Sequence, residues 1–210
     1  MVRSLWTAAS GMIAQQNNVD TIANNLANVN TTGYKTEVAE FKSLLYQDIK
    51  AKSTSANSEQ KPIPSQVGLG VRNSAITSVF TQGAYLDSSN DLAFAIGGDG
   101  FFGVRGQDGN TYYTRNGNFV LATDTNGLAL TTTDGLKVLD ADGKPIVFDE
   151  SFVASQITVT ADGQICYPDD QNNPQPLGME IGLWQFNNPS GLQKTDSGLF
   201  SESAARISAS

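Results

Sequence analysis

The first 30 residues carry a repeating pattern of apolar positions. Positions that lie alternately three and four residues apart run from residue 5 to residue 29, and only one of them, Gln15, is polar. The apolar members, called the a/d seam below, are Leu5, Ala8, Met12, Val19, Ile22, Leu26 and Val29. A period of 3.5 residues is typical of a coiled coil. The pattern predicts a helix that packs on a partner helix; packing on its own domain is the alternative.

The next 35 residues or so change character twice. The helix is predicted to end within residues 28–33, where Asn and Thr compete for backbone hydrogen bonds and Gly33 tolerates a positive φ. Residues 34–49 again place apolar side chains at helical spacing, which predicts a second helix. Those side chains are Val38, Phe41, Leu45 and Ile49. Residues 51–66 hold two prolines and no aromatic residue, and they predict an extended loop or linker.

From Ile76 onward the pattern changes to short apolar alternations, such as Leu92, Phe94 and Ile96, and later Met179, Ile181 and Leu183. Asp-Gly or Asn-Gly pairs punctuate this region, and most are eight to ten residues apart, the spacing of tight turns between antiparallel strands. Their glycines are Gly100, Gly109, Gly117, Gly127, Gly135, Gly143 and Gly163. The predicted fold is mainly β with an N-terminal helix, its strands forming an antiparallel meander or barrel.

Charge is unevenly distributed along the 210 residues. Residues 1–76 carry seven Lys/Arg and five Asp/Glu (+2), whereas residues 77–210 carry six and sixteen (−10). Without a basic cluster, binding to nucleic acid or to anionic lipid loses its main electrostatic driving force. No apolar run approaches the roughly 18 residues of a membrane span, so no membrane insertion is expected.

No catalytic, cofactor or metal site is predicted. The chain has no histidine, and its one cysteine, Cys166, alternates with larger apolar residues as a buried strand residue does. Residues 98–103 match G-x-G-x-x-G, but Phe101 and Phe102 favour a strand where a dinucleotide site needs a helix. The acidic turns at Asp124 and Asp140 lack complete calcium-ligand sets. Asp149 and Glu150 are neighbours that would point to opposite faces of a strand.

Residues 24–35, NNLANVNTTGYK, resemble the N-terminal signature of bacterial flagellar rod and hook proteins. The signature residues are Asn24, Asn25, Leu26, Ala27, Asn28, Gly33, Tyr34 and Lys35. The motifs at residues 95–102, 113–119 and 186–192 are similar to motifs that follow in the same order in that family. Residues 45–72 are most similar to the distal-rod members, with the proximal rod as the alternative.

The resemblance implies a structural subunit that polymerises helically into a hollow, torque-transmitting axle in the periplasm-spanning rod of the basal body. Implied partners are further copies of the chain, other rod subunits, hook protein, the surrounding ring proteins and the flagellar export apparatus. Implied domains are residues 1–33 as an inner-layer helix, 34–72 as an extended arm and 73–210 as a β-rich outer domain. The arm conflicts with the second helix that the spacing predicts. Family members also close with a second heptad helix, which is expected to be absent before Ser210.

Other classes of function remain open at this point. A free β-rich module that binds glycans, such as an adhesin, would use the helix only to form oligomers. A nucleotide-dependent enzyme would need the residue 98–103 motif to be followed by a helix. Exposed aromatic residues lining a groove would favour the binding module, and a helical polymer interface would favour the axle.

Overall fold

The computed structural model describes residues 2–50, 65–125, 127–169, 171, 173–195 and 198–202. The chain divides into two compact units. Residues 1–30 and 35–79 form the first, called the helical unit, and residues 31–34 and 80–210 form the second, called the β unit. The short segment 31–34 therefore belongs to the β unit although the chain on both sides of it belongs to the helical unit.

The helical unit consists of one long helix and two strand pairs within its described residues. Its elements are α1 Val2–Ala27, β1 Glu37–Ser43, β2 Tyr46–Lys50, β3 Ser65–Gly68 and β4 Val71–Ser78. β1 pairs with β4, and β2 pairs with β3, both antiparallel. The predicted N-terminal helix is confirmed; it ends at Ala27, one residue before the predicted range 28–33, and Gly33 has a positive φ of 77°.

The second helix predicted over residues 34–49 is wrong, because this stretch forms β1 and β2. Val38 and Phe41 lie three residues apart in β1, and successive strand residues point to opposite faces, so the two do not share a face as they would on a helix. β4 supplies the partner that stabilises the extended form. The predicted linker lies largely outside the described residues, which resume in β3 at Ser65.

The β unit is built from short antiparallel strands. They are β5 Phe101–Arg105, β6 Thr111–Thr114, β7 Phe119–Asp124, β8 Gly127–Thr132, β9 Lys137–Val138, β10 Val147–Phe148, β11 Thr158–Val159, β12 Gln164–Pro168, β13 Pro174–Glu180, β14 Leu183–Trp184, β15 Gln193–Lys194 and β16 Leu199–Ser201. Two 3-10 turns occur at Ala154–Gln156 and Pro189–Gly191. The prediction of a mainly β chain with an N-terminal helix is confirmed.

The strands of the β unit form two sheets within its described part. The larger has the order β10-β8-β9-β5-β6-β16-β15, with β14 added to β5 and β7 added to β8, and the smaller has the order β11-β12-β13. This path of strands is open, so the barrel form of the prediction is not found among the described residues. Cys166 is buried in β12, in the strand position that the alternation predicts.

Two apolar clusters hold the β unit together. The main core centres on Phe119 and Leu130, which are almost fully buried, and Phe102 packs edge-on against Phe119 at a centroid distance of 5.1 Å. The second cluster joins Phe101, Tyr113, Leu192 and Phe200. Burial also raises the pKa of Tyr113, whose hydroxyl donates a hydrogen bond to Glu202 at 2.7 Å.

Most of the predicted Gly-containing turns connect strands that pair. Gly109, Gly135 and Gly163 each lie between two strands joined in a ladder, and Gly143 lies between the bridged residues Leu139 and Pro145. Gly127 is the first residue of β8, where it pairs with Asp124 of β7. The turns at Gly100 and Gly117 do not connect paired strands, so these two predictions are wrong. Leu92, Phe94 and Ile96 likewise form no regular strand, since the segment makes only an isolated bridge between Ala93 and Asn118.

Candidate self-assembly surface

The a/d seam of α1 is exposed to solvent. Leu5, Met12, Val19, Ile22, Leu26 and Val29 are 57–71% exposed, and Ala8 is exposed as well. Val29 lies in the turn that follows the end of α1 at Ala27. An isolated apolar residue on a surface is ordinary, but a contiguous stripe along a whole helix marks an interaction surface. Pairing of these seven residues with a partner helix stays a prediction.

A different face of α1 packs on the strands of its own unit. The buried residues of the helix are Ala14 and Thr21, and Thr21 donates its hydroxyl to the carbonyl of Asn17 at 2.8 Å. Ser10 lies on the same side, where its hydroxyl accepts a hydrogen bond from the backbone N–H of Val71. Small and polar side chains of α1 therefore pack against the strands of the helical unit, and the large apolar side chains of α1 remain exposed.

Three signature asparagines form hydrogen bonds at the C-terminal end of α1. Asn25 donates to the carbonyl of Glu37 at 2.8 Å and accepts from its N–H at 2.9 Å, so its amide side chain pairs with the start of β1 as a neighbouring strand would. Asn24 donates to the Glu37 carboxylate at 3.1 Å, and Asn28 donates to the carbonyl of Asn24 at 2.9 Å. These residues stabilise the helical unit.

We expect Asn25→Ala to destabilise the helical unit by about 1–2 kcal/mol, because it leaves two half-buried backbone groups of Glu37 without their side-chain partner. Thermal unfolding followed by the far-UV helix signal would measure this change. The matched control, Asn30→Ala, alters an exposed asparagine and should stay within about 0.5 kcal/mol of the parent chain. Equal unfolding midpoints for the two variants would contradict the assigned role of Asn25.

The last part of the signature packs on the β unit. A Cβ added at Gly33 would lie 2.8 Å from the backbone nitrogen of Asn116, so only glycine permits this approach. The Lys194 ammonium lies over the Tyr34 ring, 4.7 Å from the ring centroid. Lys35 is half-buried, while Leu26 and Ala27 are exposed. The structure thus divides the signature residues among the seam, the helical unit and the β unit.

Gly33→Ala should loosen residues 31–34 from the β unit. The positive φ costs a non-glycine residue roughly 1–2 kcal/mol, and the new methyl group would also press on the backbone of Asn116. Hydrogen exchange of the amides in residues 31–36 should therefore become faster. Gly11→Ala is the control, because open space surrounds Gly11, and unchanged exchange in both variants would show that Gly33 does not hold the segment.

Arg115 organises a part of the β unit that the sequence does not predict. Its guanidinium donates to the carbonyl of Gly98 at 2.8 Å and to the side chain of Gln82 at 3.4 Å, and it lies 5.7 Å from the centroid of the Phe101 ring. Burial lowers the pKa of Arg115. These partners are 14 to 33 residues away in sequence. Its position inside the motif at residues 113–119 is the only signal that could have drawn attention to it.

The candidate chemical motifs have structural explanations. Residues 98–103 lead into strand β5, and Asp140 accepts hydrogen bonds from the backbone N–H groups of Asp142 and Lys144, each at 2.9 Å, as a turn residue does. Asp124 pairs with Lys137 at 2.6 Å, and this hydrogen bond lowers the pKa of Asp124. Asp149 and Glu150 are exposed.

Within the described ranges, no three His, Cys, Asp or Glu residues are grouped as a metal site, and no helix is long and apolar enough to cross a membrane.

Two family models match separate parts of the chain. The model for the flagella basal body rod protein matches residues 5–35, which include the a/d seam and the signature. The model for the D1 domain of the flagellar hook proteins FlgE/F/G matches residues 95–167 in the β unit. An exposed heptad helix together with this β unit defines the class of axial structural proteins of the flagellum.

Curated relatives define the family within that class. The flagellar basal-body rod protein FlgG of Borreliella burgdorferi is 44% identical over 97% of this chain and 75% of its own length. FlgG of Caulobacter vibrioides is 37% identical over the same shares, and FlgG of Agrobacterium fabrum is 45% identical over 56% of this chain and 46% of its own length. The chain belongs to the FlgG family of flagellar basal-body rod proteins and is a structural subunit of the distal rod.

Family membership confirms several sequence-based expectations. It places the chain in the rod of the flagellar basal body, and it implies assembly with other rod and hook subunits. The comparisons favour neither the proximal-rod alternative nor the free glycan-binding module.

Proposed function

We propose that the a/d seam of α1 is the surface through which this rod subunit polymerises into a hollow axle. The observation that carries the proposal is the exposure of the whole seam, while α1 packs on β1 and β4 through other residues. Burial of large apolar side chains against a neighbouring helix removes them from water and stabilises the assembly. An axle held by such continuous contacts transmits torque from the motor to the hook.

The charge pattern of α1 supports packing against identical copies. Between Val2 and Ala27 the helix carries one cation, Arg3, and one anion, Asp20. Packed copies of one helix bring identical side chains near one another, so a helix rich in one charge would repel its neighbours. The nearly uncharged surface of α1 avoids this cost.

Further contacts follow from the same proposal. The β unit, whose chain segment is strongly acidic, contacts the surrounding ring proteins, and the chain leaves the cytoplasm through the flagellar export apparatus. The division into an inner helix at residues 1–33, an arm at 34–72 and an outer domain at 73–210 stays a prediction. A purely mechanical role without catalysis is also proposed; the absence of histidine and the structural use of Asp140 support it.

Electron cryomicroscopy of basal bodies that carry this subunit tests the proposal. The expected map places Leu5, Met12, Val19, Ile22 and Leu26 of each copy against neighbouring helices. A map in which these side chains face a water-filled space would overturn the seam as the assembly surface. The family assignment would survive that outcome, because it rests on sequence similarity along the chain.

A further inference from the structure

Two positively charged side chains lie directly opposite each other in the helical unit. Lys42 of β1 and Arg72 of β4 are register partners in the antiparallel ladder, and both are exposed. Side chains at such positions have Cβ atoms roughly 4.5–5.5 Å apart, and like charges placed there destabilise a strand pair. Lys42 and Arg72, called the cation pair below, therefore cost the single chain stability.

No described carboxylate neutralises the cation pair. Glu40 lies two residues from Lys42 on β1, but its Oε1 accepts a hydrogen bond from the Thr77 hydroxyl at 3.3 Å. Among the described residues, neither Lys42 nor Arg72 forms an ion pair. Adjacent exposed cations create a positive surface potential, which attracts a negatively charged partner. The cation pair is thus suited to bind carboxylates.

The β unit carries a pocket of the complementary charge. Its volume is about 370 Å³, and its apolar walls include Tyr112, Leu136 and Leu199. Asp108 and Asp134 also line it. Such a lining suits a long cationic side chain, because the methylene stem can pack on the apolar walls while the charged end reaches a carboxylate. These five residues are called the acidic pocket below.

Asp108 provides a fixed negative charge in the acidic pocket. Its Oδ2 accepts hydrogen bonds from the Tyr112 hydroxyl at 2.9 Å and the Asn110 side-chain amide at 2.6 Å, and its Oδ1 accepts one from the Asn110 backbone N–H at 3.1 Å. The hydrogen bond from Tyr112, followed by those from Asn110, lowers the pKa of Asp108 and keeps the carboxylate ionised. Because a carboxylate has about four acceptor positions, it can still accept a further donor. Neither Asp108 nor Asp134 forms an ion pair with a described cation.

We propose that the cation pair of one copy docks into the acidic pocket of a neighbouring copy in the rod. This inference rests on the proposed function and adds a second contact, outside α1. The charge distribution supports a second copy as the partner, since residues 1–76 carry seven Lys/Arg and five Asp/Glu, whereas residues 77–210 carry six and sixteen. A contact between two different surfaces is head-to-tail, so it can repeat from copy to copy along a helical polymer. The opposed cations are then neutralised only in the assembled rod.

Zero-length cross-linking in isolated basal bodies tests this contact. A carbodiimide joins a Lys amine to a carboxylate only where the two groups touch, so Lys42 should form an amide with Asp108 or Asp134. Mass spectrometry should find the joined peptides in bands at multiples of the chain mass. Asp142 is the matched control, because it is an exposed Asp in another Asp-Gly turn, outside the pocket. It should not join Lys42, and its product with Lys144, 3.5 Å away, would show that the reagent is active.

Each other product from Lys42 would overturn the contact between copies. Lys42 joined to the acidic pocket only in the monomer band would show a contact inside one chain. Lys42 joined to a different protein would show another partner, and no product from Lys42 would show that no carboxylate touches the cation pair. The proposed function would survive any of these results, because the map that tests the a/d seam does not involve Lys42 or the acidic pocket.

Charge exchange provides a second test. Lys42→Glu places opposite charges at facing strand positions, so the purified single chain should unfold at the same temperature as the parent or at a higher one. In rods the new carboxylate would face the acidic pocket, and we expect roughly tenfold faster release of subunits from isolated basal bodies in mild denaturant. Adding Asp134→Lys should restore slow release, whereas adding the control Asp142→Lys should not. Restoration by both second substitutions, or by neither, would overturn the pairing with the acidic pocket.

Discussion

Leu26→Asp is expected to abolish rod assembly while the β unit remains folded. Leu26 is 71% exposed in the single chain, so the substitution costs the monomer little. In the assembled rod the same carboxylate would be buried at a packed helical surface, at a cost of several kcal/mol for each subunit. Cells that carry only this variant should be non-motile and lack complete rods in electron micrographs. Ile22→Asp should behave in the same way.

Gln16→Asp is the matched control for this experiment. It places the same carboxylate on an exposed polar position outside the seam, where it meets Asp20 four residues later at a cost of roughly 0.2–0.5 kcal/mol. We expect normal motility from it. The near-UV spectrum of purified Leu26→Asp should match that of the parent chain, because the aromatic clusters lie in the β unit. Normal motility of cells that carry only Leu26→Asp would refute the role of the a/d seam as the assembly surface.

Gly117→Ala should destabilise the β unit by about 3 kcal/mol, near the upper end for overpacking. A Cβ at Gly117 would overlap the carbonyl oxygen of Phe94 and would lie 2.8 Å from its carbonyl carbon and 3.0 Å from the ring of Phe102. The carbonyl of Gly117 also accepts the N–H of Phe94 at 2.9 Å, so the two backbone segments cannot separate without losing a hydrogen bond. The overlap is with backbone, and no side-chain rotation relieves it.

The expected fall in the unfolding midpoint is on the order of 10 °C. Calorimetry, or thermal unfolding followed by the near-UV signal, would measure it. Gly83→Ala is the control, because nothing lies within 4 Å of an added Cβ there and its φ is not positive. Similar midpoints for both variants would mean that residues 94 and 117 do not approach as closely as the structure shows.

The spacing of Val38, Phe41, Leu45 and Ile49 shows how a local pattern can mislead. The same apolar residues are compatible with a helix or with strands, and the choice depends on a partner about 30 residues later in the chain. β4 pairs with β1 across the whole of Glu37–Ser43, and this ladder satisfies backbone groups that a helix would satisfy internally. The resemblance to rod proteins implied an extended arm over residues 34–72, and that role stays a prediction.

Some of the Gly-containing turns connect paired strands and others do not, and the difference again depends on partners distant in sequence. Gly109 and Gly135 lie in hairpins because the strands on both sides pair with each other. The sequence around Gly117 looks the same, but β6 pairs with β5 and β16 while β7 pairs with β8. Gly117 is required there because the backbone of Phe94 passes close to it, and a turn pattern does not contain that information.

The sequence by itself determined α1, the a/d seam, the end of the helix before Gly33, the mainly β character of residues 77–210 and the buried strand position of Cys166. These features depend on residues within one or two turns of a helix or a few positions of a strand. Only the tertiary structure decided that β1 pairs with β4 and that Arg115 joins Gln82 to Gly98. It also decided that α1 packs through Ala14 and Thr21 and leaves its seam exposed. Each of these depends on partners distant in sequence, which local periodicity does not identify.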